Sequence, residues 1–289
     1  MATITHDSDA KAALARLLEN YSAELTTRDH KSLDAAKDIL RPQTRVFVAA
    51  MPRDTADDMI AAAIRLHKAD MVAIPHIVAR NITDRAMLDN ILARLSSEAG
   101  VDRAHIVGGD RDDQAGEFDS SLQLLETGLF AKYGITRIAI ACYPEGHPRI
   151  PDAVLVQARK DKVRVAAEQG LTVWMVSQFA FEAAPMIDLA RKMRAQGINE
   201  PYRVGIAGPA SHATLIRYAL MCGVGASLRA LRERQSLARN MLTGETPEGL
   251  LTEIALAREA EPSLGIAGVH FFTFGSLIKT AQWVDSIRG

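Results

Sequence analysis

Polar side chains that could take part in catalysis stand at the ends of short apolar runs in this sequence. Glu24 lies within YSAEL and Gln178 within VSQFAF, among residue types that build a protein core. A carboxylate buried without a partner is costly, so Glu24 indicates a functional pocket rather than a packing position. The Gln178 amide could satisfy a buried backbone group, or it could face that pocket. Further polar residues at such ends are His76, Asp110, Tyr143, His147, His212, His270 and Thr273, and Gly109 stands directly before Asp110.

Four of the polar residues at or near these run ends are histidines, and histidine is the commonest metal ligand among side chains. The four residues are His76, His147, His212 and His270. They come from different runs and lack the paired ligand spacing of a metal centre, so we predict no metal site. A lone histidine there is also typical of a hydrogen-bonded structural residue, and Gly-Gly-Asp alone forms a turn with a helix cap. Polar groups at most of the run ends nevertheless favour one shared pocket.

The elements that would position these residues are β-rich runs that alternate with helical stretches along the whole chain. Runs this continuously apolar are typical of parallel strands buried on both faces. The predicted strands are residues 21–25, 45–50, 71–76, 104–109, 137–143, 172–178, 202–208 and 268–274. The stretches 55–68 and 83–98 both open with a threonine cap and acidic residues, as helices do. Two more helices are predicted at residues 211–221 and 276–287.

Eight such alternations without a linker predict one (β/α)8 TIM barrel over residues 1–289, with its active site at the C-terminal ends of the strands. An open doubly wound sheet is the alternative. We predict a helix at the N-terminus, before the first strand. Residues 226–262 predict an inserted helical pair before the last strand, with Pro247 in the first turn of a helix.

Composition and charge exclude several classes of protein. Lys and Arg number 34 and Asp and Glu 35, a balance that predicts neither nucleic acid nor membrane as a partner. The N-terminus lacks a secretory signal, and no segment is apolar enough to span a bilayer. Cys142 and Cys222 lie in apolar runs, which predicts buried thiols, no disulfide and a cytoplasmic protein. Apolar helical stretches such as residues 59–64 favour a homo-oligomer.

Seven motifs, in chain order, resemble those of the methylenetetrahydrofolate reductase family. They are residues 22–28 (SAELTTR), 75–88 (PHIVARNITDRAML), 108–110 (GGD), 141–148 (ACYPEGHP), 177–181 (SQFAF), 218–221 (YALM) and 270–273 (HFFT). The loop YPEGHP is the most specific of them, because it matches the Y-P-E-x-H-P pattern of the family.

The resemblance implies an oxidoreductase of one-carbon metabolism that reduces 5,10-methylenetetrahydrofolate to 5-methyltetrahydrofolate, with hydride passing from NAD(P)H through FAD. Opening the methylene bridge leaves an amine nitrogen that must be protonated, and Glu24 is similar to the general acid of the family. The same residue would act as a base in the oxidising direction. Gln178 resembles the amide that binds the pterin edge, and Asp110 the aspartate that orients folate. Tyr218 is similar to an aromatic residue that stacks on the substrate or the nicotinamide.

The same resemblance implies a set of cofactor-binding residues. Asp110 would also tune the flavin, and Gly109 would let the backbone approach it closely. Lys162 is matched to the lysine that faces the flavin phosphates. The remaining implied flavin contacts are His76, Tyr143 and His147.

The sequence departs from the family pattern, and several departures fall on flavin contacts. Residues 25–27 replace the aromatic and proline residues that follow the catalytic Glu, and Gly108 stands where the family has arginine. Residues 49–53 form a shorter loop than the Gly-rich family segment, and residues 274–276 replace an Asn-Arg pair. Three alternatives follow: a flavin-independent folate reductase, a pterin-dependent methyltransferase barrel and a non-catalytic folate-binding protein.

Overall fold

A computed structural model describes residues 2–49, 51, 54–224 and 246–288 of the chain. Its parallel strands form a closed barrel in which they follow one another in chain order. The strands are β1 (Ser22–Thr26), β2 (Arg45–Ala49), β3 (Val72–Val78), β4 (Arg103–Val107), β5 (Arg137–Cys142), β6 (Thr172–Phe179), β7 (Tyr202–Ala207) and β8 (Ile266–Phe272). The predicted TIM barrel is therefore confirmed, and the open doubly wound sheet is wrong.

Helices alternate with the strands, as the sequence predicted. They are α1 (Ala2–Leu18), α2 (His30–Ile39), α3 (Ala56–Lys68), α4 (Arg85–Ala99), α5 (Ser121–Glu126), α6 (Leu129–Lys132), α7 (Asp152–Glu168), α8 (Ala183–Ala195), α9 (His212–Met221), α10 (Glu248–Ala260) and α11 (Leu277–Arg288). The N-terminal helix is confirmed as α1. Of the helical pair predicted over 226–262, the part at 225–245 lies outside the described residues, and α10 supplies the other helix. No described helix has the length and apolar character needed to cross a membrane.

The limits of these elements differ from the predicted ones by one or two residues. Thr55 caps α3 as predicted and forms a capping box with Asp58. The cap of α4 is Asp84 rather than Thr83, because the Asp84 carboxylate accepts a hydrogen bond from the Met87 amide at 2.7 Å. Pro247 stands directly before α10 instead of within its first turn.

The chain forms two compact units. The first unit contains residues 1–23, 142–151 and 176–289, and the second contains residues 24–141 and 152–175. In the first unit β7 pairs with β8, and α1 packs against α10 and α11. In the second unit β2, β3, β4 and β5 pair in parallel, and α3 packs against α4 and β3. The assignment of residues 1–289 to a single domain stays a prediction.

Candidate active site

An aromatic and imidazole cluster lies on the inner face of the sheet in the second unit. The Phe47 ring meets the His105 ring edge to face, with 5.5 Å between centroids, although β3 lies between their strands. Two side chains can touch across an intervening strand only on the concave side of the sheet. His76 of β3 completes the cluster, with its ring centroid 4.7 Å from that of His105.

Glu24 lies beside this cluster. Its Oε2 atom is 3.7 Å from Nε2 of His76, and the two side chains are only 17% and 14% exposed, respectively. That separation exceeds the length of a hydrogen bond, so the interaction is electrostatic whenever the histidine is protonated. The sequence placed His76 at the end of its strand, but β3 continues two residues further to Val78, which sets His76 within the sheet. The structure thus brings together two of the predicted site residues.

His105 was not among the predicted site residues, yet its contacts determine its tautomer. Its Nδ1 atom lies 3.1 Å from the carbonyl oxygen of Ala139 on the neighbouring strand. A carbonyl can only accept a hydrogen bond, so Nδ1 carries the proton. His105 is buried, and its fixed ring forms one wall against which His76 packs. Its position opposite His76 in the strand register could not be read from the sequence before the pairing was known.

A buried carboxylate that the sequence did not single out organises the loop after β1. Asp54 accepts hydrogen bonds from Thr27 Oγ1 at 2.5 Å, from Arg28 Nε at 2.9 Å and from the Met51 amide at 2.9 Å. Its side chain is only 1% exposed. Thr27 was noted in the sequence as a departure from the family pattern, and its bond to Asp54 gives that threonine a structural purpose.

Asp110 lies on an exposed loop after β4, three residues beyond the strand end. Arg80 holds this loop in place. Its guanidinium donates hydrogen bonds to the carbonyl oxygens of Asp119 at 3.1 Å and Arg111 at 2.6 Å. Arg80 was missed in the sequence because its partners are backbone atoms. Gly109 has a φ of +106°, and a Cβ atom there would lie 2.6 Å from Cγ1 of Val78. The space beside Gly109 is therefore filled by the protein itself.

Lys162 lies on α7, one turn from Arg159. It is half-buried, whereas Arg159 is buried. Burial lowers the pKa of Lys162 to about 8, and the positive charge of Arg159 acts in the same direction. The two positive charges repel each other, so a bound anion between them would stabilise the charged form of Lys162.

A small cleft in the first unit contains two of the predicted residues, Tyr143 and Gln178. Its lining is Tyr143, Pro144, Glu145, Gly146, Gln178, Phe179, Cys222, Gly223 and Val224. The Gln178 Oε1 atom accepts a hydrogen bond from the Phe179 amide at 3.0 Å, which leaves the NH₂ group and the second lone pair of Oε1 for a ligand. Gln178 therefore satisfies a backbone group and also lines this cleft, and its part in ligand binding stays a prediction. Cys222, expected to be buried, is only partly so.

The YPEGHP loop holds its tyrosine and histidine against each other. The Tyr143 and His147 rings meet edge to face, with centroids 4.9 Å apart. The Nδ1 atom of His147 accepts a hydrogen bond from the Arg149 amide at 3.2 Å, so the neutral ring carries its proton on Nε2. The loop closes through a hydrogen bond from the Gly146 amide to the Tyr143 carbonyl at 3.2 Å.

Tyr218 belongs to an aromatic cluster with Phe274, whose ring also contacts Phe179 of β6 and Phe272 of β8. Its ring stacks on Phe274, with 4.2 Å between centroids and 20° between planes. The guanidinium of Arg217 lies 5.0 Å from the centre of the Tyr218 ring. A neighbouring side chain thus already stacks on the residue expected to stack on a ligand.

The other strand-end histidines have different surroundings. His270 is buried, and its Nδ1 atom lies 3.0 Å from Ser22 Oγ, an arrangement typical of a structural residue. His212 is the first residue of α9. Within the ranges that the structure describes, no group of three or more His, Cys, Asp or Glu side chains is placed to hold a metal ion.

Comparison with known proteins gives two results. The family model for methylenetetrahydrofolate reductase matches residues 47–281, which is most of the chain but begins after Glu24. Among solved structures, the chain is similar to the dihydropteroate synthase FolP from Thermus thermophilus, with 13% sequence identity and a TM-score of 0.50. That likeness covers 94% of this chain and 95% of the other. At this identity it shows a shared fold alone.

Proposed function

Because the chain belongs to the methylenetetrahydrofolate reductase family, we propose that it interconverts 5,10-methylenetetrahydrofolate and 5-methyltetrahydrofolate, with NAD(P)H as co-substrate and FAD as cofactor. In the reducing direction a carbon–nitrogen bond of the methylene bridge breaks. The bridge carbon gains a hydride from NAD(P)H, and the released nitrogen gains a proton. The protein must therefore supply a proton to the released nitrogen and keep water away from the site of hydride transfer.

The pairing of Glu24 with His76 is the observation that carries this proposal. A carboxylate within a strand, only 17% exposed and beside an imidazole, is suited to proton transfer rather than to packing. In the reducing direction Glu24 would donate its proton to the released nitrogen. A protonated His76 would then stabilise the carboxylate that is left, because opposite charges at this distance attract. In the oxidising direction the same pair would receive the proton.

Substrate binding is assigned to three residues. The NH₂ group of Gln178 would donate to the pterin edge, while its carbonyl oxygen also accepts from the Phe179 amide. Asp110 would accept hydrogen bonds from the folate, and its loop is held in place by Arg80. Tyr218 would contact the substrate or the nicotinamide through the part of its ring that Phe274 does not cover.

The residues that would hold FAD include donors suited to it. Lys162 and Arg159 carry two positive charges on successive turns of one helix, which suits a diphosphate. Tyr143 and His147 would contact the cofactor, the latter through its Nε2 proton. His76 would contribute from β3, and Gly109 through its backbone only, because Val78 fills the space beside it. The chemistry that FAD supplies when bound is hydride transfer between NAD(P)H and the folate.

The proposal is tested by incubating the purified protein with 5,10-methylenetetrahydrofolate, FAD and NADH or NADPH deuterated at C4. We expect 5-methyltetrahydrofolate as the product, measured by mass spectrometry, with the deuterium largely lost to water on the way through FAD, and flavin absorbance near ~450 nm in the purified protein. Deuterium retained in the methyl group would indicate direct transfer from the nicotinamide. Product formed without any flavin would instead identify a flavin-independent reductase. Methyl transfer without nicotinamide oxidation would identify a methyltransferase. Tight folate binding with no turnover would identify a binding protein, and each of these outcomes would overturn the proposal as stated.

A further inference from the structure

Three arginines lie one layer below the aromatic and imidazole cluster in the second unit. Side chains two residues apart in a strand share a face, so Arg45 lies on the inner face with Phe47, and Arg103 with His105. Arg137 is the register partner of Arg103 in the neighbouring strand and shares that face. These residues begin β2, β4 and β5, respectively. We call Arg45, Arg103 and Arg137 the arginine layer.

The arginine layer has more positive than negative charge. Asp102 accepts from Arg103 Nε at 2.6 Å and from Arg137 at 2.8 Å, and it is the carboxylate that joins these two residues. Burial opposes ionisation of Asp102, but the two guanidinium groups outweigh it and lower the carboxyl pKa. One carboxylate thus neutralises one of three cations.

Arg45 is the least compensated member of the layer. Within the described ranges it forms no hydrogen bond or ion pair with another side chain, although it is half-buried. Burial lowers its pKa, and the charges of Arg103 and Arg137 lower it further. For comparison, the buried guanidinium of Arg203 donates to the carbonyl oxygens of Asn20 at 2.6 Å and Val269 at 3.4 Å.

We propose that the arginine layer binds a small divalent oxyanion of the phosphate or sulfate type. Two negative charges would balance the two cations that Asp102 does not neutralise. Planar guanidinium groups also match tetrahedral oxyanions through paired hydrogen bonds. The layer lies at the N-terminal ends of its strands, whereas Glu24 and His76 lie further along theirs. Residues at that end of a TIM barrel serve stability rather than catalysis, so the anion would stabilise the fold.

The test is thermal unfolding of the full chain in sodium phosphate against sodium chloride of equal ionic strength, with no folate or nucleotide present. Above its dissociation constant, phosphate should raise the Tm of the wild type by about 2 °C for each tenfold increase in concentration. Arg45→Gln should lose most of this increase, because only the weaker attraction of phosphate to Lys162 and Arg159 would remain. Arg164→Gln, which removes an exposed arginine of α7, is the matched control and should keep the increase.

A second variant tests the charge balance of the arginine layer by removing its carboxylate instead of one of its cations. Asp102→Asn removes the carboxylate that competes for Arg103 and Arg137, so calorimetric titration should show phosphate binding several-fold tighter than in the wild type. The Asp102 variant tests phosphate binding by the arginine layer even if Arg45→Gln fails to fold. An equal Tm increase in all variants would reflect general exclusion of phosphate from protein surfaces and would overturn the proposal. Absence of saturable phosphate binding would overturn it too, and neither result touches the proposed folate chemistry.

Discussion

The Nε2 atom of His76 lies 3.7 Å from Oε2 of Glu24, and the same imidazole packs edge to face against the ring of His105, with 4.7 Å between centroids. The charge on His76 is therefore subject to two opposing influences. An ionised Glu24 favours the imidazolium form, whereas a charged His105 would disfavour it. The state of His76 therefore depends on both neighbours.

Replacing His76 by glutamine should slow folate turnover by about tenfold to a hundredfold. The variant removes the imidazolium that would stabilise Glu24 after proton transfer, so one limb of the pH profile of kcat should also move. Steady-state kinetics between pH 5 and 9 measure both effects. His212→Gln, at the first position of α9, serves as control and should retain the wild-type profile. An unchanged pH profile in the His76 variant would show that this residue is structural.

Replacing Lys162 by methionine should stabilise the folded protein at pH 7 by about 3 kcal/mol, because the folded pKa of about 8 lies below the ordinary 10.5. Between these values the unfolded chain holds more protons, so the stability of the wild type rises from pH 8 to about pH 10.5. The advantage of the variant should shrink over that window. Urea denaturation at several pH values measures it, with Lys160→Met on the exposed face as control.

The same Lys162 variant should bind FAD at least about tenfold more weakly, since a charge-assisted hydrogen bond to a phosphate is lost. Fluorescence titration measures this affinity without any turnover. If the variant is more stable but binds FAD more weakly, Lys162 contributes to FAD binding at the expense of stability. If FAD binds both variants equally well, Lys162 is not a cofactor contact.

Replacing Asp54 by asparagine should cost about 2–4 kcal/mol in the free energy of unfolding. One of its two oxygens becomes an NH₂ group, which would then face the donors of Thr27, Arg28 or the Met51 amide. The control is Asp57→Asn, whose carboxylate is 78% exposed and pairs with Arg94. Its loss should cost less than about 1 kcal/mol. Similar losses in the two variants would mean that Asp54 does not organise the loop.

Replacing Gly109 by alanine should destabilise the protein by at least about 2 kcal/mol, because the new methyl group would lie 2.6 Å from Val78. Gly128→Ala provides the comparison, since Gly128 also has a positive φ but has open space where a Cβ would stand. That variant should lose only about 1 kcal/mol. Val78→Ala should partly restore the stability of the Gly109 variant, and failure to do so would exclude this contact as the cause.

The sequence predicted the barrel because its strands are buried on both faces and so appear as continuous apolar runs. Their ends were less certain: β3 extends past His76, since the strand limit is set by pairing with β4 rather than by the residues themselves. Helix starts were predicted where a cap has its own chemistry, as at Thr55. At α4 two possible caps stand side by side, and Asp84 was the one used.

The residues that the sequence did not predict are those whose partners are distant or in the backbone. Asp54 meets Thr27 and Arg28 from another loop, and Arg80 binds carbonyl oxygens that every residue possesses. His105 stood in an apolar run with no motif around it. Its contact with His76 depends on strand register, which residue spacing alone does not fix.

The most direct test of the central claim is the effect of Glu24→Gln on two rates measured in the same preparation. The first is oxidation of NAD(P)H with an artificial quinone acceptor, and the second is formation of 5-methyltetrahydrofolate. If Glu24 is the general acid, folate turnover falls by about 10²–10⁴-fold while quinone-linked oxidation stays within about threefold of the wild type. If the two rates fall together, or if folate turnover persists, Glu24 does not transfer the proton and the proposed mechanism is wrong.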